Sequence, residues 1–142
     1  MGNKLNILEI SSRSDIGGGP EQLFKIVANL KNVFDFYCAC PDQEPYYNQI
    51  INEGVPVFKL PHRKFEIKPF LNLVKWTKIN NIMIVHSHGR GAGVYARLLK
   101  LFNRRLTVVH HFHGIHSEKK GLVLIIERLL GILTDKFVLV SR

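Results

Sequence analysis

The stretch IMIVHSHGRGAGVYARLLKLFNRRLTVVHHF, residues 82–112, decides the fold. It opens on an apolar run ending in His-Ser-His (82–88), passes a glycine-rich turn, and continues as GAGVYARLLKLFNRR (91–105), which reads as a helix. It then returns to a second apolar run, LTVVHHF (106–112). Two short strands of nearly continuous Val, Ile and Leu, joined by a helical crossover, run parallel, and parallel strands need cover on both faces.

The same alternation extends in both directions. LNILEIS (5–11), VFDFYCAC (33–40), VPVFKLP (55–61) and KFVLVS (136–141) read as further strands. PEQLFKIVANLKN (20–32), EPYYNQIINEG (44–54), KPFLNLVKWTKINN (68–81) and GLVLIIERLLGILTD (121–135) read as helices. In the first helix Leu23, Phe24, Ile26, Val27 and Leu30 share a face, and Pro20 and Glu21 suit its first turn. In the third, Phe70, Leu71, Val74 and Trp76 are grouped for burial. The pattern predicts an α/β fold: a doubly wound parallel sheet, Rossmann-like, with a strand order beginning 3-2-1-4-5, as a single domain over residues 1–142.

Hydrophobic residues at 46% and charged residues at 22% describe a folded globular chain, and no apolar stretch reaches the roughly 20 residues a bilayer span needs. MGNKLNILEISS lacks the apolar core and cleavage site of a signal peptide. Its Met-Gly start lacks the Ser or Thr of a myristoylation signal, because Asn6 stands there. A cytoplasmic protein is expected. Cys38 and Cys40 point the same way on a strand, with no second pair to complete a zinc site, and read as small buried apolar residues. The formal net charge of +9 draws the chain to something anionic: nucleic acid, lipid head groups or phosphorylated substrates. No segment interleaves aromatic and basic residues as a single-strand platform does, so a nucleic-acid partner is not expected.

In an open α/β sheet, ligands bind beyond the carboxyl ends of the strands, where the winding reverses. Residues 11–19, 86–91 and 110–116, with Ser141, arrive at that rim, and they include six of the seven histidines; only His62 lies elsewhere. DIGGGPEQ (15–22) sets three glycines before a helix N-terminus, which suits the approach of an anionic group. A plain flexible turn is the alternative. It is neither a dinucleotide fingerprint nor a phosphate-binding P-loop. His86 and His88 share one strand face, as do His111 and His113, so two pairs could offer four imidazoles to a tetrahedral zinc. No Asp or Glu lies within either cluster to orient them; Asp15 and Glu118 are nearest in sequence, both in loops. Hydrogen bonding to substrate hydroxyls and phosphates accounts for the same positions, and no metal is expected. His110, facing opposite to His111, reads as a structural histidine, and His116 is undecided.

GGPEQ (18–22), IVHSHG (84–89), VVHHFHG (108–114) and FVLVS (137–141), in this order and spacing, resemble the N-terminal half of a group 1 glycosyltransferase of family 4. The resemblance covers essentially the whole chain. It implies the N-terminal half of a GT-B fold, in which two Rossmann-like lobes face each other across a cleft. This chain would be the acceptor-side lobe, with the C-terminal donor-binding domain absent and the lobe inactive alone. The implied reaction moves a sugar, with retention, from a nucleotide-diphosphate sugar to a glycan or lipid-linked acceptor in cell-surface polysaccharide synthesis, without a cofactor. Gly18 and Gly19 would approach the donor, His113 would be the catalytic residue at the donor sugar, and His86, Ser87 and His88 would line the acceptor side. A neutral His113 donating a hydrogen bond to a sugar oxygen, and a charged one stabilising a departing phosphate, are both open. Pro20 departs from the family by standing where a small residue is commoner.

Arg97, Lys100, Arg104 and Arg105, beside Leu98, Leu99, Leu101 and Phe102, make a basic amphipathic element. It suits peripheral contact with the inner membrane face, or is an ordinary solvated helix face. GLVLIIERLLGIL (121–133) is apolar enough for a membrane patch or for a helix beneath the sheet. A stand-alone nucleotide- or metal-binding Rossmann module is the competing reading of the whole chain.

Overall fold

A computed structural model describes residues 4–113 and 121–139; the expectations for His116, Glu118 and Ser141 lie outside them. Six strands, β1 (Asn6–Ser11), β2 (Asp35–Cys40), β3 (Val57–Lys59), β4 (Ile84–His88), β5 (Thr107–Phe112) and β6 (Lys136–Leu139), form one sheet in the order β3-β2-β1-β4-β5-β6. Every neighbouring pair is parallel. The helices between them are α1 (Gly18–Leu30), α2 (Tyr46–Asn52), α3 (Ile67–Ile79), α4 (Gly89–Phe102) and α5 (Gly121–Gly131). This is the doubly wound, Rossmann-like arrangement the sequence predicts. From β1 the chain winds outward through β2 and β3, then returns to lay β4 on the other side of β1.

Alternation along each strand divides the core into two layers. Leu8, Ile10, Val85 and Val108 pack with Phe70, Leu73, Tyr95 and Leu99 of α3 and α4. On the other face Ile7, Phe36 and Cys38 pack with Leu23 and Val27 of α1 and Ile50 of α2. Each such aliphatic side chain contributes roughly 1.5–3 kcal/mol on leaving water. Both cysteines are free and buried, and burial first, then Cys40 and Glu9 nearby, pushes the Cys38 thiol well up.

Some faces differ from the sequence reading. Leu71 is exposed and Leu73 takes the inward position in α3, because burial there follows Phe70, Leu73, Val74 and Thr77 at helical spacing. Arg97 is buried in α4 rather than part of a basic surface: its Nη1 donates to Glu127 Oε2 of α5 at 2.8 Å. Lys100 pairs with Asp135, which leaves Arg104 and Arg105 as the exposed cations of that segment. In α5 only Leu130 is buried, while Leu122, Ile125 and Leu129 are exposed, as are Phe137 and Leu139 of β6. No helix among the described residues is long and apolar enough to cross a membrane.

Candidate functional site

The winding reverses between β1 and β4, and their carboxyl ends open into a cleft of about 620 Å³. Its walls are the turn after β1, the start of α1, and the start of α4, with His113 closing one side. α1 begins at Gly18, two residues before Pro20, with Gly17 as its cap and no side chain bonding its first amides. Among the described residues Gly18 and Gly19 therefore present open N–H groups, Pro20 has none, and Glu21 already donates to the Gly17 carbonyl at 3.0 Å. A Cβ on Gly19 would lie 3.6 Å from His113 Cδ2, so the imidazole rests directly on this backbone.

α4 starts in the same way. His88 is its cap, with no side-chain bond to its first turn, and Gly89 turns the chain with φ +80°, a conformation that favours glycine. Two helix N-termini thus face one cleft, which suits a group carrying negative charge. Arg13, Arg63 and Arg90 line it as well. Asp15 does not orient histidines: it holds Arg13, accepting from Nε at 2.7 Å and from Nη2 at 3.0 Å.

The histidines divide between the two faces of the sheet. His86, His88, His111 and His113 gather on the α1 side, with ring centroids of the closest pair, His111 and His113, 4.3 Å apart. Ser87, expected beside His86 and His88 on the acceptor side, is corrected by the structure. It is buried on the α4 face, and its hydroxyl meets His110 Nδ1 at 2.8 Å. Successive strand residues point to opposite faces, so Ser87 cannot share a wall with its neighbours. His110 packs so closely on α4 that a Cβ on Gly93 would lie 2.5 Å from its Cε1. Burial, then the Arg97 charge, pushes His110 down to about 3.

Sequence reading missed Glu9. It stands opposite His86 in the β1–β4 register and is buried at 1% exposure. His88 Nε2 donates to its Oε2 at 2.7 Å, and His86 Nδ1 lies 3.0 Å from the same oxygen. The carboxylate that orients these imidazoles thus comes from neither cluster nor from Asp15, but from the adjacent strand β1. Burial alone would raise this carboxyl, but the bonds from His86 and His88 overcome it and hold Glu9 down to about 2. The signal was present in NILEIS: a charge in a central parallel strand, where continuous apolar residues are the rule.

The chain of contacts continues outward. His88 Nδ1 lies 3.3 Å from His113 Nε2. Burial, then His88 and His86 nearby, lowers His113 below the ordinary imidazole value, so its ring is uncharged at neutral pH. Burial, then His113 and the other histidines, pushes His111 down to about 4. Among the described residues, His86, His88 and His111 bring nitrogens within 4.8 Å of one another and form a group that could hold a cation. Both nitrogens of His88 are engaged, however, and an ion would have to displace Glu9 or His113. The geometry favours a hydrogen-bonded imidazole wall beside an anion-attracting cleft.

Comparison with known proteins agrees with this architecture. In Escherichia coli the O-antigen biosynthesis glycosyltransferase WbnH is 26% identical over 141 residues, covering 96% of this chain and 42% of WbnH. The chain therefore spans less than half the length of that relative. Among solved structures, Anabaena Alr3699/HepE, crystallised with UDP and glucose, superposes with a TM-score of 0.70 at 15% identity over 89% of this chain and 35% of its own. A glycosyltransferase from Rickettsia africae gives a TM-score of 0.69 at 18% identity, over 99% of this chain and 44% of its own. These two likenesses establish the shared fold. The family model for Glycosyltransferase Family 4 matches residues 21–142, from the first turn of α1 through β6, and the chain accordingly belongs to that family.

Proposed function

We propose that the chain is the acceptor-side lobe of a retaining glycosyltransferase that moves a sugar from a nucleotide-diphosphate sugar to a glycan or lipid-linked acceptor in surface polysaccharide synthesis. One observation carries this reading: two uncapped helix N-termini and the His113 imidazole face a single cleft at the switch point of the sheet. The open amides of Gly18 and Gly19 suit a diphosphate, and the uncharged His113 suits a sugar hydroxyl. His86 and His88 lie deeper, held by Glu9, and shape the wall rather than reach across the cleft. WbnH is named for O-antigen biosynthesis, and HepE was crystallised with UDP and glucose, which supports a nucleotide-sugar donor and a polysaccharide pathway. A second lobe completes the donor site, so this lobe alone does not turn over. Contact with the inner membrane face fits a lipid-linked acceptor, with Arg104 and Arg105 the available cations.

The test is transfer from a panel of nucleotide sugars to free and lipid-linked glycans, assayed in the protein with its donor lobe, with the product anomer read by NMR. Transfer with retention is expected, and His113→Ala should lower kcat by about 100-fold. No transfer to either acceptor class, or inversion at the anomeric carbon, would overturn the reading.

A further inference from the structure

We propose that the face of the sheet covered by α3 and α4 docks on a membrane surface rich in anionic phospholipid headgroups. The inference rests on the proposed contact with the inner membrane face, and it names the docking surface and the lipid chemistry.

Charge is gathered in one part of the chain. Of the 20 Lys and Arg and 11 Asp and Glu, residues 54–105 hold 11 and one, the single acid being Glu66. The rest holds 9 against 10, so this segment carries the whole positive excess. It builds β3, α3, β4 and α4, and both helices pack on the same face of the sheet. Lys59, Arg97 and Lys100 are paired with Asp42, Glu127 and Asp135, while Arg63 and Arg90 line the cleft. The six that remain are Lys64, Lys68, Lys75, Lys78, Arg104 and Arg105. All are exposed, and among the described residues none meets a carboxylate. Unpaired cations on and beside two neighbouring helices attract an anionic surface.

Charge alone would suit nucleic acid equally, and the apolar side chains among these cations decide between the two. Phe65, Ile67, Leu71 and Phe102 are exposed, Ile67 at 69%. Buried Phe70 joins the ends of this ridge, its ring centroid 5.5 Å from those of Phe65 and Phe102. Along α3, Ile67, Leu71, Lys75 and Lys78 fall on one stripe that passes from apolar to basic. Ile67 and Leu71 offer no flat ring to stack a base, whereas the headgroup boundary of a bilayer takes apolar side chains and cations together. The ridge is also held in place. The Tyr95 hydroxyl accepts from the Glu66 N–H at 3.1 Å and donates to the Lys64 carbonyl at 3.0 Å, and the Arg63 N–H donates to the Ser12 carbonyl at 3.1 Å. Phe65 therefore rests on Tyr95, ring centroids 4.9 Å apart, and loses little freedom on insertion. Its position fits a lipid-linked acceptor: Arg63 belongs to the cleft wall and Phe65 stands two residues on, so a glycan in the cleft keeps its lipid beside the bilayer.

The experiment is vesicle sedimentation with the protein carrying its donor lobe, comparing phosphatidylethanolamine vesicles with and without phosphatidylglycerol. Binding to the anionic vesicles, weakened by added salt, is expected. Lys68→Gln with Lys75→Gln should lower that affinity by about 30-fold, the share of two cations at an anionic surface. Ile67→Ser, which changes no charge, should lower it by about tenfold through one lost apolar insertion. All three side chains are exposed, so both variants should keep the wild-type thermal midpoint. Equal binding to both vesicle types, full affinity in either variant, or capture by an RNA oligonucleotide and not by vesicles overturns the proposal. Sedimentation needs no sugar. Anionic-vesicle binding by a protein that transfers nothing therefore keeps the surface and removes the transferase reading. Transfer by a protein that stays in the supernatant does the reverse.

Discussion

Gly93 shows how one missing side chain sets the spacing between a helix and the sheet. The His110 ring occupies the space a Cβ would need, 2.5 Å from Cε1, and the ring is itself held by the Ser87 hydroxyl. Gly93→Ala must therefore move the helix or break that contact, and should cost about 1–3 kcal/mol, read as a lower urea midpoint with an unchanged slope. Gly18 is the comparison: nothing lies within 4 Å of a Cβ placed there, and Gly18→Ala should stay within about 0.5 kcal/mol of wild type. A midpoint for Gly93→Ala as high as that of Gly18→Ala would show that α4 can shift freely. Glu9 is the residue-scale lesson for the site. Its charge was visible inside an apolar run, and only its partners were hidden.

At the scale of elements, α4 and α5 are joined by the ion pair of Arg97 and Glu127. Arg97 is fully buried, with Phe112 5.9 Å from its guanidinium, and among the described residues its Nε and Nη2 have no hydrogen-bond partner. Removing the carboxylate leaves a buried charge uncompensated. Glu127→Ala should cost about 3 kcal/mol in denaturant unfolding, whereas Arg97→Met, which removes the charge and keeps the volume, should cost much less. Equal losses in the two variants would mean that packing, not charge, holds α5. The apolar pattern of α5 gave its helical nature correctly but not its exposure, because spacing names a face and cannot say whether anything lies against it.

For the whole molecule, buried His110, His111 and Glu9 act with one sign. Folded His110 and His111 bind protons only near pH 3 and 4, while unfolded imidazoles do so near 6.5. Below pH 6.5 the unfolded chain therefore holds more protons, and stability falls as pH falls. Glu9, at about 2 when folded against 4.5 unfolded, contributes stability present above pH 4.5 and lost as pH drops toward 2. Calorimetry should find the thermal midpoint about 5–10 °C lower at pH 5 than at pH 7, from the two histidines alone. A midpoint that holds steady between these values would mean that the imidazoles titrate freely in the fold.

The sequence by itself determined the parallel sheet, its order about β1, and the meeting of glycines and histidines at one rim. Those follow from periods of 2 and 3.6 and from the rule that strands joined by a helical crossover run parallel, with a right-handed connection. Period 2 also held the correct face of Ser87, had it been applied there. Only the tertiary structure decided that Glu9 bonds histidines 77 and 79 residues away, and that Arg97 turns inward to Glu127. A buried charge takes whichever partner the register of distant elements brings within about 3 Å, and no spacing along one strand or helix encodes that distance.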